Sequence, residues 1–383
     1  MVKTNMRSLF SLFTLATYLL VACKNDPSKG QTAATDALSN IPGARYVRLE
    51  GTVGSEPVVL HLTSDNTVGA PTTNYGGQVV WADGSTSMVF GTPDSSGHVV
   101  LEVSFNGQDS SLRYRLDKIT PGGAWTGTQE APKVPVTFTE RYPVGTLRFA
   151  IKEWQDSMKS DPKIKDSPVC EVSQSVMVPN AAEPALNDWL LQAFLKAYGN
   201  DSLPDRPNNF DALFQASRKE AFDQYVEAIK EYEPEKNGDL PEFFSYSFAT
   251  SMEILHNGNN RLTIGVSYYT YTGGAHGMYG TSLYSYDLQT KKRLGLEDVL
   301  KPGAKNQLQP HLNTAARRWA GMGAHEPLDN VFFVENNTVP LTENVGIVEK
   351  GLIFNYLPYE IGAYALGEVR LFVPFSEIKA LMK

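Results

Sequence analysis

Cysteine is nearly absent: the chain has two in 383 residues, at positions 23 and 170. With Cys23 committed to the leader described below, Cys170 stands alone and no internal disulfide is available. No cysteine pairs are spaced for a structural metal. His325-Glu326-Pro327-Leu328-Asp329 lacks the second histidine of a zinc helix, and Pro327 would break that helix. A Gly-x-Ser-x-Gly nucleophile elbow is missing. Clusters of Lys and Arg are missing too, and acidic residues outnumber basic ones 42 to 34. A nucleic-acid partner is therefore not expected, because binding a polyanion by counterion release needs grouped cations. No cofactor or metal is expected either. An acidic chain steers basic partners instead.

The first segment supplies the only targeting signal. Met1 to Ala22 carries Lys3 and Arg7, an apolar run from Leu9 and no acid, which reads as a signal peptide. It ends Leu20-Val21-Ala22-Cys23, which resembles a lipobox, and the Cys23 sulfur is the expected lipid attachment point. Acyl chains there would convert an exported protein into one anchored to a membrane of the bacterial envelope, inner or outer. Loss of residues 1–22 removes Lys3 and Arg7 and leaves 32 basic against 42 acidic side chains, a charge of −10. Residues 23–43 have few large apolar side chains and read as a flexible tether.

From residue 44 to 142 short apolar runs are cut by turn chemistry. Val58–Leu62, Gln78–Trp81, Ser87–Phe90, His98–Val103 and Ser111–Leu116 read as strands, closed by segments around Trp125 and Val134–Phe138. This predicts a small all-β domain, an antiparallel sheet or partial barrel. Trp81 and Trp125 have two readings, as core side chains or as a glycan-binding face.

Residues 143–383 mix both periodicities. Val169–Val178 reads as a strand. Leu186, Leu190, Leu191, Phe194, Leu195 and Tyr198 recur at helical spacing, as do Phe210, Leu213, Phe214, Phe222, Tyr225, Ile229 and Tyr232. Two long strands, 243–255 and 261–271, flank the turn His256-Asn257-Gly258-Asn259-Asn260. A short helical step at 297–300, a helix over 305–319 and strands at Phe332–Val334 and Leu352–Tyr356 follow. The predicted class is α+β: the all-β domain, then a mainly antiparallel sheet packed by helices.

The densest chemistry lies in Tyr268-Tyr269-Thr270-Tyr271-Thr272-Gly273-Gly274-Ala275-His276-Gly277, with Tyr279 just beyond. A β-branched and aromatic run enters a glycine cluster and a second run leaves it, so this is a strand corner. It serves as a turn in which His276 satisfies the backbone, or as a recognition surface of rigid tyrosines; the two are compatible. A Ser267, His276 and Asp287 triad is conceivable from residue types alone.

The corner motif, followed by Tyr286-Asp287-Leu288-Gln289-Thr290-Lys291, resembles the C-terminal extracytoplasmic domain of RsiV-type anti-sigma factors. The same domain resembles the N-terminal region of PdaC-type peptidoglycan deacetylases and many uncharacterised bacterial lipoproteins. Tyr359-Glu360-Ile361-Gly362-Ala363-Tyr364-Ala365-Leu366-Gly367 and Val373-Pro374-Phe375-Ser376-Glu377-Ile378 extend the likeness to the C-terminus. In deacetylases of this kind the chemistry lies in a separate domain with a metal-binding histidine set. In the anti-sigma factors the extracytoplasmic module binds lysozyme, and a sigma-binding segment and a spanning helix precede it; here a lipobox stands in their place. The resemblance implies a non-catalytic envelope lipoprotein that binds a lysozyme-like basic protein or peptidoglycan. The ligand-binding candidates are Tyr271, Gly273, Gly274, His276, Tyr279, Tyr359 and Glu360. A cell-wall hydrolase or deacetylase-associated enzyme and a structural envelope protein are the rivals. Cys23→Ser is expected to abolish incorporation of labelled fatty acid into the chain; labelling that persists would remove the anchor.

Overall fold

In the computed structural model, residues 45–65, 74–105, 111–117, 124–180, 183–197, 207–232, 240–241 and 244–383 are described. The leader, Cys23, the tether and Tyr198 lie outside them. Alternation of buried and open positions builds the first eight strands: β1 Arg45–Val53, β2 Glu56–Asp65, β3 Asn74–Val80, β4 Thr86–Pro93, β5 Val99–Ser104, β6 Ser111–Leu116, β7 Trp125–Gln129 and β8 Val134–Glu140. Each pairs antiparallel with the next, and β8 returns to β1 with Phe138 opposite Gly51, so the sheet closes into a barrel. Closure removes the exposed edges that an open sheet of this size would carry. Gly51 marks the place where β1 serves β2 and β8 together; a Cβ there would fall 1.8 Å from the Thr137 carbonyl oxygen. Leu49, Leu60, Leu62, Leu101, Tyr114 and Phe138 fill the interior.

The sheet then continues. β1 touches β9 (Phe149–Lys159) at Arg45 opposite Ala150, and β10 (Val169–Pro179) follows antiparallel. Helices α1 (Pro184–Ala197) and α2 (Phe210–Tyr232) separate β10 from β11 (Tyr246–Gly258), which runs parallel to it. A parallel neighbour needs such a crossover. The strands β12 (Arg261–Tyr271), β13 (Met278–Asp287) and β14 (Lys292–Leu294) complete an antiparallel meander. Asn259 and Asn260, at φ 50° and 57°, make the tight turn between β11 and β12, where a right-twisted hairpin demands two left-handed residues. A second sheet, β15 (Val345–Ile347), β16 (Gly351–Tyr356) and β17 (Val369–Pro374), packs with the short α3 (Leu296–Val299) and α4 (Gln309–Trp319).

The layers follow from the two faces of the meander. Leu262, Ile264 and Val266 of β12 face α1, while Leu255 and Leu283 meet Ile353 of the second sheet and Val348 of the β15–β16 turn. The buried hydroxyls of Thr263 and Ser285 stitch those two sheets, Thr263 donating to the Ile347 carbonyl and Ser285 accepting from the Ile347 amide at 2.9 Å. With seventeen strands and four α-helices among the described residues, the chain is mostly β, richer in strand than expected. Phe332–Val334 is not a strand. Phe332 plugs the core beneath α4, Phe333 is 63% exposed, and the chain turns straight into a 3-10 turn at Glu335–Asn337. Aromatic β-propensity there found no partner strand. The unanticipated β9 carries Lys152, Glu153, Asp156 and Lys159, charges that masked its alternation.

A buried polar node fastens barrel to meander. The Asn257 side chain donates to the Leu147 carbonyl (2.8 Å) and to the Tyr46 hydroxyl (3.1 Å) and accepts from the Leu147 amide (2.8 Å). Tyr46 in turn meets His61 Nδ1 at 2.8 Å, and Arg48 Nε donates to the Asn257 carbonyl at 2.9 Å. Burial, then the neighbouring His256 and Arg48, push His61 well below the usual imidazole range. His256 is lowered to about 4, chiefly by burial and then by Arg261. Both rings are neutral in the folded state and protonate more readily when unfolded. Stability is therefore full above pH 6.5 and falls as pH drops from there toward 4, His256 alone contributing a loss of about 3 kcal/mol. Urea midpoints measured between pH 7.5 and 4.5 are expected to fall steeply below 6.5, and His256→Gln is expected to flatten that slope.

Candidate functional site

β12 leaves the core after Val266: its next five residues are half-buried, and Tyr268, Tyr269 and Tyr271 project from the end of the meander. The strand corner that follows uses Gly273 and Gly274 at φ 94°, a conformation that side chains other than glycine rarely take. Tyr271 turns inward on the corner, its hydroxyl donating to the Gly274 carbonyl at 3.1 Å. Gly277 lies under the Tyr269 ring, where a Cβ would come within 2.5 Å of it. The corner therefore needs its glycines for two different reasons.

His276, Tyr279 and Tyr359 come together, and Tyr364, in the same C-terminal motif, is the piece between them. The His276 and Tyr364 rings stack with centroids 3.9 Å apart. Tyr279 meets Tyr364 edge-on at 5.7 Å, and Tyr359 lies 5.6 Å from it. The Tyr364 hydroxyl donates to the Gly277 carbonyl at 2.7 Å, and Tyr359 Oη is 3.3 Å from His276 Nε2. His276 Nδ1 sits 3.0 Å from the Gly277 carbonyl oxygen. Such offset and edge-on pairs hold rings in fixed planes. Tyr359 adopts φ 71°, left-handed for a bulky residue, and remains 52% exposed. Glu360 completes the turn, its carboxylate accepting from the Leu357 amide at 2.9 Å. Burial, then Tyr364 and Glu368, push the Tyr279 hydroxyl up to about 12, so it stays neutral.

What brings positions 276–279 to positions 359–364 is a pair of asparagines. Above β14 the outer edge of β13 is open, and Asn344 occupies it like a strand partner. Its Oδ1 accepts from the Leu283 amide at 2.7 Å, and its Nδ2 donates to the Thr281 carbonyl at 2.8 Å. The buried Asn355 donates to the same carbonyl at 2.8 Å. Nothing local in Thr342-Glu343-Asn344 signals this edge role. Tyr364 was within reach of sequence reasoning, since it stands in the quoted motif.

The triad of residue types does not assemble. Ser267 Oγ pairs with Thr281 Oγ1 at 2.8 Å, and Asp287 caps the Gln289 and Thr290 amides. Asp287 ends β13 whereas His276 precedes it, a strand length of roughly 30 Å. Cys170 is buried in β10, and burial followed by Glu171 pushes its thiol up to about 12, a range in which it is inert. Among the described residues, no three His, Cys, Asp or Glu side chains group to hold a metal, and no helix is long and apolar enough to cross a membrane. Trp125 is a core residue of the barrel, 3% exposed. Trp81 is half-buried at its rim.

Residues 170–279 match the family model described as "Deacetylase PdaC", and residues 297–376 that described as "Protein of unknown function (DUF3298)". A DUF3298 family member from Bacteroides fragilis superposes with a TM-score of 0.51 at 21% identity, over 62% of this chain and 95% of its own. A DUF3298 family protein from Pseudomonas aeruginosa gives a TM-score of 0.43 at 18% identity, over 61% and 94%. No curated protein matches the chain. The chain thus carries a PdaC-type segment followed by a DUF3298-type segment, built on the fold of a solved DUF3298 protein.

Proposed function

We propose that the chain is a non-catalytic cell-envelope protein, lipid-anchored through Cys23, whose tyrosine–histidine corner captures a basic protein of the lysozyme kind. The PdaC and DUF3298 domains support the envelope setting. The observation that carries the reading is the exposure of Tyr359, 52%, on a cluster whose other rings are locked by stacking. Locked aromatics offer large contact area at small entropic cost, which is what interface hot spots require. Glu360 borders the corner, and the mature charge of −10 steers a basic partner toward it. A catalytic role for His276 has less support: both ring nitrogens are already engaged by Gly277 and Tyr359, and no carboxylate orients it.

Titration of the chain with lysozyme at low and high salt, beside retention on purified peptidoglycan sacculi, decides between protein and glycan ligands. Lysozyme binding is expected to weaken with salt, and Tyr359→Ala and His276→Ala each to weaken it about tenfold or more. Unchanged affinity in both folded variants would sink the assignment of the site. Retention on sacculi without lysozyme binding would make the ligand a glycan.

A further inference from the structure

A second site, separate from the corner, lies where the barrel meets the second sheet. The β3–β4 turn, residues 81–85, leans on Lys350: its Nζ donates to the Ala82 carbonyl at 2.5 Å, and a Cβ on Gly84 would fall 2.5 Å from the Lys350 Cβ. Between this turn and α4 is a cleft of about 360 Å³, within the range of small-molecule sites. A neighbouring hollow of about 430 Å³ lies on the barrel side, and Trp81 lines both. Trp81 thus stands between the two hollows.

Its walls are aromatic. Trp81 stacks on Phe105 with centroids 5.8 Å apart, and its Nε1 donates to Ser87 Oγ at 2.9 Å, which fixes the ring plane. Trp319 and Phe372 form the facing wall. The polar groups are balanced in charge. Arg318 pairs with Glu377 at 2.5 Å, and Arg370 with Glu253 and Glu368 at 2.6 and 3.1 Å. Burial alone would lower the Arg370 guanidinium, but those two carboxylates outweigh it and hold it raised. Both guanidiniums that line the cleft are thus neutralised by carboxylates, which disfavours a phosphate or nucleic-acid ligand.

Two buried atoms here have no partner. The indole Nε1 of Trp319, which is 9% exposed, and Arg370 Nη1 are donors without acceptors. Unpartnered donors on one wall call for oxygen acceptors, and Asp83, Ser85 and Thr86 on the other side of the cleft offer oxygens that receive hydrogen bonds; hydroxyl groups, which both give and receive them, suit the two together. A ligand with flat apolar faces for the tryptophans and hydroxyls around its rim has both properties. We infer that this cleft binds a neutral oligosaccharide, with Trp81 as the stacking platform and Trp319, Arg370, Asp83 and Arg318 as polar contacts.

The full chain is titrated calorimetrically with chitotetraose, cellotetraose and maltotetraose, each up to about 10 mM, where millimolar affinities register. Binding of at least one is expected, weakened about tenfold by Trp81→Ala and several-fold by Trp319→Phe, which removes only the N–H and one ring. His276→Ala and Tyr359→Ala are expected to leave it unchanged, so this site and the corner fail or stand separately. If Trp81→Ala does not fold, the surface variants Asp83→Ala and Arg318→Ala take its place and are expected to weaken binding. Silence from all three saccharides overturns the inference, as does binding that survives the folded Trp81 or Asp83 and Arg318 variants.

Discussion

The open edge of β13 is the constraint on which the candidate site depends. A strand edge exposes amides and carbonyls that must find partners. At Thr281 and Leu283 the partner is the side-chain amide of Asn344, which supplies one acceptor and one donor in the places a neighbouring strand would. With Asn355 added on the Thr281 carbonyl, the second sheet is pinned across the meander. The segment after β16 then delivers Tyr359 and Tyr364 onto His276 and Tyr279. Two stretches of chain more than eighty residues apart become one aromatic surface because two amides replace a missing strand.

The same economy of buried polar groups recurs at the other junctions. Asn257 joins Tyr46 of the barrel to Leu147 of the connector, and Thr263 with Ser285 holds the two sheets face to face. Gly265 leaves room for Glu253, whose carboxylate receives Gln78 from the barrel and pairs with Arg370 from the second sheet. Satisfied networks of this kind fix orientation between layers that apolar packing alone would let slide. Each also carries a cost if disturbed, which is why the neutral histidines at the Asn257 node give the fold its sensitivity to acid.

Much of this architecture was legible in the residues. The β11–β12 hairpin followed from its asparagine turn, and the amphipathic stripes of α1 and α2 from helical spacing. The first strands of the barrel showed their alternation, although closure through β8 on β1 did not, because closure is a long-range pairing with no local signature. Strand β9 was hidden by its charges, and Phe332–Val334 misled because propensity says nothing about an available partner. At the site, the glycine corner and the second tyrosine motif were each visible, but their meeting was not. Nothing in Thr342-Glu343-Asn344 distinguishes an edge-capping amide from an ordinary turn.

The assembly of the corner is the central claim, and nuclear magnetic resonance of the His276 ring protons tests it without any ligand. A ring stacked 3.9 Å from Tyr364 lies in that tyrosine's ring current, so its proton signals are expected well upfield in the native chain. In a folded Asn344→Ala variant, which leaves the Leu283 amide without its partner, they are expected to return toward the positions of a free imidazole. Signals at free-imidazole positions in the native chain, or upfield signals unmoved by Asn344→Ala, would contradict the account.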